Sequence, residues 1–143
     1  MVLTIGGRVH LMDESLSLIS VMADAGCSNA LVLRVGGEVD ISTVGEIKRA
    51  YEAMIDTRRA GQDVLIIDLD DVTFFGSSGL AALVDCQHAA QQRGVQLRVA
   101  GTSPAVVRPL NGTGLVRCFD WYDDLDSALA EPVHQDSGDH SPG

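Results

Sequence analysis

The chain has 143 residues, 10 basic against 20 acidic side chains and a formal net charge of −10. It is 45% hydrophobic and 21% charged, which suits one compact globular domain. The negative charge disfavours nonspecific attraction to nucleic acid or an anionic membrane and favours a basic protein partner. No apolar run approaches the ~20 residues that cross a bilayer, and the N-terminus lacks a signal-peptide pattern, so we expect a cytoplasmic protein.

The first third of the chain predicts short strands. Residues 1–15 are interpreted as an N-terminal extension that contains one strand, Val2–Ile5, before a Gly-Gly turn. The apolar runs Leu16–Met22 and Ala30–Val35 are rich in β-branched residues and are separated by turn-forming residues, which predicts a hairpin. Because Arg34 is the one charge in the second run, we expect that strand to be covered over most of both faces.

A helix and a buried strand follow this hairpin. Apolar residues recur at helical spacing within Val44–Ile55, which predicts an amphipathic helix with Ser42 as its N-cap. The nearly continuous aliphatic run Val64–Leu69 predicts a central strand buried on both faces, and Asp70–Asp71 is expected to end it. A strand, a helix and a strand in this order imply a right-handed parallel crossover.

The remaining sequence predicts further alternation of helices and strands. A second helix is expected to begin within Ser77–Ser78 and to stop at Arg93–Gly94, and the alternation in Gln96–Ala100 predicts a half-buried strand. Ser103–Pro104 predicts the start of a short helix that Pro109 stops or kinks. A last strand is expected within Cys118–Trp121, a final helix at Ser127–Ala130 and a flexible polar tail at 132–143.

The three cysteines, Cys27, Cys86 and Cys118, are an odd number without a CxxC pair. This pattern argues against a secreted disulfide framework and against a zinc site. Buried thiols are the simplest interpretation, because free cysteine is among the most buried residue types. A redox switch that pairs Cys86 with Cys118 is the alternative, and it requires Cα atoms within ~7 Å of each other.

The segment TFFGSSGL, residues 73–80, joins the central strand to the second helix and is the candidate functional site. Ligands of open α/β sheets collect beyond the carboxyl ends of strands, and a helix N-terminus offers unpaired N–H groups to an anion. A phosphoryl group on Ser77 or Ser78 could therefore accept hydrogen bonds from backbone amides. The simpler interpretation is that a serine only caps the helix.

Enzyme signatures are missing around this segment. Gly76–Gly79 does not have the spacing of a G-x-S-x-G nucleophile elbow, and no lysine follows to make a P-loop. The histidines at positions 10, 88, 134 and 140 offer no base for a catalytic triad. The acidic residues within 68–71 are interpreted as a solvated loop and not as a cation site. We therefore expect no catalysis, no metal and no cofactor.

Several blocks of sequence, in order and with compatible spacing over roughly residues 16–131, resemble the STAS-domain anti-sigma factor antagonists of bacteria. The blocks are Gly37–Asp40, Asp68–Phe74 running into Ser77–Leu80, Ser103–Val106, and Thr113–Leu115. The resemblance implies an α/β fold in which a small mixed β-sheet carries helices packed mainly on one face. It implies a non-enzymatic regulator that binds an anti-sigma factor serine kinase and so frees a sigma factor. Phosphorylation by that kinase would end the binding, and a PP2C-type phosphatase would reverse it.

The resemblance also assigns roles to residues. It makes Ser77 the phosphorylated residue, with Ser78 as the alternative. The implied partner-binding surface consists of Asp40, Thr73, Gly76, Ser77, Ser78, Gly79 and Leu80. Many members have an aspartate immediately before the phosphorylated serine, whereas this chain has Gly76, a departure expected to change local charge and kinase recognition. A STAS module of another assembly, such as a stressosome-like or lipid-transport complex, or a small-ligand sensor, is the alternative function.

Overall fold

A computed structural model describes residues 2–5, 8–11, 19–24, 30–58 and 60–130, and the first three of these ranges are described by their backbone. The strands are β1 (Val2–Ile5), β2 (Arg8–Leu11), β3 (Ile19–Asp24), β4 (Ala30–Val39), β5 (Val64–Phe75), β6 (Gln96–Ala100) and β7 (Asp120–Tyr122). The helices are α1 (Val44–Thr57), α2 (Ser77–Gln92), α3 (Pro104–Thr113) and α4 (Leu125–Ala130), with a 3-10 turn at Leu115–Cys118.

All the described strands belong to one sheet, in which the spatial order is the chain order from β1 to β7. β1 to β4 are antiparallel neighbours, whereas β4 to β7 are parallel neighbours. The mixed α/β fold class and the parallel connection through α1 are thereby confirmed. β1 and β2 lie within the predicted extension and continue the sheet beyond β3. The Gly-Gly turn, Cys27 and the predicted tail at 132–143 lie outside the described residues.

The two faces of the sheet are covered unequally. Alternate residues of β4 and β5, such as Leu33 and Ile67, pack with α1, α2 and α3 in the main core. The opposite face carries a smaller cluster that α4 covers. Its members are Ala30, Val32, Val64, Ile66, Ala100 and Ala128. Helices therefore pack mainly on one face, as predicted, with one short helix on the other.

The helix on the second face corrects the prediction that β6 is half-buried. Only Gln96, at the start of this strand, is partly exposed, and Arg98 is 1% exposed. The Arg98 guanidinium donates from Nη1 to the Ala128 carbonyl at 2.7 Å and lies 5.8 Å from the centre of the Tyr122 ring. The polar residues of β6 were expected to face solvent, but α4 and β7 cover Arg98.

β5 is longer than the sequence predicts, because Asp70 and Asp71 do not end it. Both aspartates are exposed, and the Asp70 carboxylate accepts the Thr102 N–H at 3.0 Å. The pairing of β4 with β5 is irregular at two places, so that 12 residues of β5 lie against 10 of β4. These irregularities carry the strand past the acidic pair, and the predicted loop TFFGSSGL is strand as far as Phe75.

Other element boundaries differ from prediction by a few residues. Pro109 does not stop α3, which continues to Thr113. This proline has no N–H to donate to the Ala105 carbonyl, and toward the end of the helix the Thr113 hydroxyl donates to the Pro109 carbonyl at 2.8 Å. α2 ends at Arg93 and Gly94 as predicted, and Gly94 has the positive φ of 73° that suits a helix stop.

The turn between β4 and α1 is held by polar side chains. Thr43 is the N-cap residue, so the prediction of Ser42 is wrong. Ser42 instead donates its N–H and its hydroxyl to Asp40 Oδ1, at 2.9 and 2.7 Å. Thr43 Oγ1 accepts the Asp40 N–H and donates to the Glu38 carbonyl. The hydrogen bonds from Ser42, the hydroxyl first, hold the pKa of Asp40 below its ordinary value.

Gly79 sets how closely α2 approaches the sheet. A Cβ at this position would lie 2.9 Å from Phe75 Cε1 and 2.9 Å from Val39 Cγ1, inside any normal contact. Both neighbours are core side chains, 6% and 0% exposed, and neither can move into solvent. A residue without a side chain is therefore needed where the first turn of α2 crosses the ends of β4 and β5.

We predict that Gly79→Ala lowers the free energy of unfolding by about 1–3 kcal/mol, the usual cost of an overpacked core contact. Gly112→Ala is the matched control, because nothing lies within 4 Å of a Cβ there and its φ is negative. We expect that control to be neutral or to stabilise the protein by up to ~1 kcal/mol. Urea denaturation of both variants measures the difference, and equal stabilities would contradict the close-approach argument.

A second prediction concerns the Asp40 carboxyl. Its lowered pKa contributes stability above the pKa of the unfolded chain, and this is lost as pH falls through the lower folded value. We expect an NMR titration to show Ser42→Ala raising the Asp40 pKa toward the ordinary value. Ser127→Ala is the control: it should leave Asp40 unchanged and move Asp124 only partly, because the backbone N–H of residue 127 supplies the larger effect there. An unchanged Asp40 pKa in Ser42→Ala would refute this assignment.

Candidate functional site

Two strand ends meet at the candidate site. Val39 and Phe75 are paired, and the Gly76 N–H extends the ladder by donating to the Val39 carbonyl at 2.9 Å. Asp40 and Ser77 follow these positions directly, so the parallel pairing brings the β4–α1 turn beside the start of α2. The predicted loop between β5 and α2 is reduced to one residue, Gly76.

The serine pair begins α2 but does not cap it. Gly76 is the N-cap residue, in extended conformation, and its carbonyl accepts the N–H groups of Gly79 and Leu80 at 3.0 and 3.2 Å. No side chain of the described residues caps this helix, which corrects the interpretation of the serine as a cap. Ser77 is exposed and Ser78 is half-buried. The Ser77 hydroxyl is therefore the more accessible of the two.

The start of α2 is suited to an added negative charge. Ser77 and Ser78 occupy the first two helical positions, whose N–H groups have no partner inside a helix. The first turn contains no acidic residue, and a helix N-terminus carries about half a positive charge. A phosphoryl group on the Ser77 hydroxyl would lie close to these amides and to that partial charge.

Two exposed apolar side chains lie near the paired ends of β4 and β5, and neither is among the residues expected from the sequence. Phe74 is 51% exposed, and a Cβ at Gly76 would lie 3.3 Å from Phe74 Cε2, so the ring lies against the N-cap glycine. Ile41, in the turn after β4, is 84% exposed. Alternation continued from Leu69 puts Phe75 in the core and Phe74 outside, because the two one-residue shifts in the pairing with β4 cancel.

Acidic side chains predominate around the serines. Glu38 and Asp71 are exposed and Asp40 is partly so. The sequence has no lysine or arginine at 35–47 or at 60–92, a pattern that the sequence analysis did not use. The basic residues that follow are on α1: Lys48 Nζ is 3.8 Å from Asp85 Oδ2 on α2, and Arg49 Nη1 lies 3.6 Å from where a Cβ at Gly45 would lie.

Asp68 is farther from the serines than the sequence pattern suggests. It lies on the sheet face opposite α1 and α2, where its Oδ2 is 3.8 Å from Arg34 Nε. Burial raises the pKa of this carboxyl above its ordinary value, against the hydrogen bond from the Asp70 N–H and the charge of Arg34. It takes no part in the arrangement around Ser77.

The two described cysteines are free thiols in different environments. Cys86 is fully buried on the core side of α2, and this burial raises the pKa of its thiol far above the ordinary value. Cys118 is exposed at the end of the 3-10 turn, so the buried-thiol interpretation is right for Cys86 and wrong for Cys118. A redox role for the pair stays a prediction.

Within the part of the chain that the structure describes, no helix is long and apolar enough to cross a membrane. Among the same residues, no three histidine, cysteine, aspartate or glutamate side chains cluster as metal ligands.

Comparison with known proteins places this fold and sequence in a family. The STAS domain model matches residues 23–128. A candidate anti-anti-sigma factor of Mycobacterium tuberculosis is 29% identical over 126 residues, which are 86% of this chain and 82% of that protein. The anti-sigma F factor antagonist of Paenibacillus polymyxa is 28% identical over 101 residues, covering 71% of this chain and 85% of the relative.

Solved structures agree with the sequence comparison. The crystal structure of an anti-sigma factor antagonist from Mycobacterium paratuberculosis superposes with a TM-score of 0.69 at 31% identity. The match covers 80% of this chain and 96% of that one. The family model spans most of the sequence, and the fold is shared along nearly the whole of a solved antagonist. This chain therefore belongs to the STAS domain family.

Proposed function

We propose that this protein is a cytoplasmic anti-sigma factor antagonist whose partner is an anti-sigma factor with serine kinase activity. The unphosphorylated chain binds the kinase and thereby frees a sigma factor. The kinase then transfers the γ-phosphoryl group of ATP to Ser77 Oγ, which releases ADP and the hydroxyl proton. A PP2C-type phosphatase hydrolyses the phosphoserine, with water supplying the oxygen of the released phosphate, and so restores the binding form.

The observation that carries this proposal is the exposed and uncapped position of Ser77. Its hydroxyl lies at the first helical position of α2, outside any capping bond, where a kinase can reach it. The relatives named as anti-sigma factor antagonists support the choice of partner. Ser78 is the alternative acceptor, but its partial burial makes it the poorer substrate.

The same position explains how phosphorylation would act as a switch. A phosphoryl group adds about −1.5 to −2 charge at neutral pH. Asp40 and Glu38 already make this surface acidic, and a partner that covers it would have to desolvate the new dianion. The charge of the phosphorylated surface therefore opposes docking, whereas the hydroxyl of the free form does not.

Gly76 distinguishes this chain from the family members with an aspartate before the serine. A carboxylate here would cap α2 and would lie beside the phosphoryl group as a like charge. With glycine, the N–H groups of the first turn remain available, and the Phe74 ring occupies the space beside the N-cap. We infer that the cognate kinase recognises the aromatic ring and the turn at Asp40, in place of an acidic side chain at position 76.

A STAS module of a stressosome-like or lipid-transport assembly, or a small-ligand sensor, is the alternative function. These possibilities need no kinase and no transfer to Ser77. The phosphorylation experiment below therefore separates them from the proposed switch.

We expect candidate histidine-kinase-like anti-sigma factors of the same organism to add one phosphoryl group from ATP, as seen by intact mass. Ser77→Ala should abolish the addition, whereas Ser78→Ala should retain it. Because Ser77 and Ser78 lie on the same turn, the second variant is a matched control for disturbance of α2. Phosphate that persists in Ser77→Ala and vanishes in Ser78→Ala would move the site to Ser78. The absence of transfer from every candidate would favour the alternative function.

A further inference from the structure

The surface beside Ser77 has an apolar centre that the fold itself leaves uncovered. Among the described residues, the large hydrophobic side chains that are exposed are Ile41 at 84%, Phe74 at 51% and Leu129 at 39%. Phe74 lies near the end of β5, where it pairs with Glu38; Ile41 lies in the turn after β4, and Leu129 lies on α4. Two of the three most exposed apolar groups thus flank the proposed switch.

Phe74 is held outward by the sheet. Phe75 packs in the main core against Gly79, and successive side chains of a strand point to opposite faces. The Phe74 ring therefore lies on the face away from α1 and α2, turned back against Gly76. α4 covers this face only at the other ends of the strands, over Val32 and Ile66. The ring is fixed in place and has solvent on its outer side.

Ile41 is held outward by the turn. The Asp40 carboxylate, bonded to Ser42, and the Thr43 hydroxyl, bonded to the Glu38 carbonyl, fix the backbone on both sides of it. The turn therefore presents an isoleucine to solvent without needing a flexible loop. An anchor that is already ordered loses little conformational entropy when a partner covers it.

The charges around these anchors define the chemistry of the partner. Glu38 and Asp71 lie on the paired strands and Asp40 follows β4, whereas the next basic residues, Lys48 and Arg49, are on α1, where Lys48 Nζ is 3.8 Å from Asp85 Oδ2. The neighbouring ion pair of Arg34 with Asp68 adds no net charge. A partner that fits this surface must supply an apolar recess bordered by lysine or arginine.

We propose that Phe74 and Ile41 are the two anchor residues of a docking surface that bends from the start of α2 onto the uncovered sheet face, and that its occupant is an anti-sigma factor with an apolar recess and a basic rim. This inference rests on the proposed function for the identity of the partner. It goes further by assigning most of the binding affinity for the partner to Phe74 and Ile41, and not to Ser77 itself. Phosphorylation acts on the edge of the surface, where the dianion would border the Phe74 ring.

The test measures the dissociation constant for the anti-sigma factor kinase that binds the wild-type chain. We expect Phe74→Ala and Ile41→Ala each to weaken binding by about tenfold or more, as for buried anchor residues of interfaces. Leu129→Ala is the matched control, because it removes an exposed apolar side chain from α4 and should change binding less than about twofold. Thermal melting of all three variants checks that each remains folded.

A second arm tests the basic rim. Glu38→Lys should weaken binding and slow association, whereas Asp123→Lys, an equal charge change on an exposed residue after β7, should have little effect. If the wild-type chain binds but neither anchor variant loses affinity, the docking inference is wrong and the proposed function stands. If the wild-type chain binds no candidate kinase, the proposed function fails and the inference fails with it.

Discussion

The hydrogen-bonded pairing of the ends of β4 and β5 is the constraint on which the site depends. Val39 pairs with Phe75, and one further bond, from the Gly76 N–H to the Val39 carbonyl, fixes the point at which strand becomes helix. The β4–α1 turn and the start of α2 are distant in sequence, yet this ladder makes them neighbours. Without it, Asp40 and Ser77 would share no surface.

The position of α2 relative to that ladder depends on close packing. Gly79 allows the helix to lie on Phe75 and Val39, and the main core behind it contains fully buried Cys86 and Tyr51. A closely packed core of this kind suits the proposed surface, in which a hydroxyl is offered to a kinase and two apolar side chains to a partner. The chemistry is then left to exposed groups, whose charge can change without disturbing the core.

Much of the fold could be predicted from the sequence because hydrophobic periodicity is strong in α1, α2 and the buried part of β5. The extent of β5 could not, since pairing with β4 overrides the local preference of Asp70 and Asp71 for a turn. The burial of Arg98 was also missed, because it depends on the short helix α4, which packs on a face that the local pattern presents as polar.

Part of the candidate site came from the sequence. The resemblance to a family points to the serine pair and to Asp40, and the pairing of β4 with β5 places the turn at Asp40 beside the start of α2. The sequence could not distinguish a capping serine from an exposed one, since Gly76 and Ser77 both suit the N-cap position. The outward direction of Phe74 follows from the alternation of β5, but a strand expected to end at Asp70–Asp71 does not extend that pattern to residue 74. The exposure of Ile41 depends on turn geometry, which no local pattern records.

The unequal lengths of β4 and β5 have a consequence for protein engineering. Two extra residues in β5 bring Phe75 level with Val39, so the turn after β4 lies beside the start of α2, and the register and the segment TFFGSSGL form one unit. Copying the eight letters of that segment into another scaffold would transfer the serines without their surroundings. A successful graft would also have to carry both strands with their mismatch, because that mismatch brings the turn after β4 level with the first residues of α2.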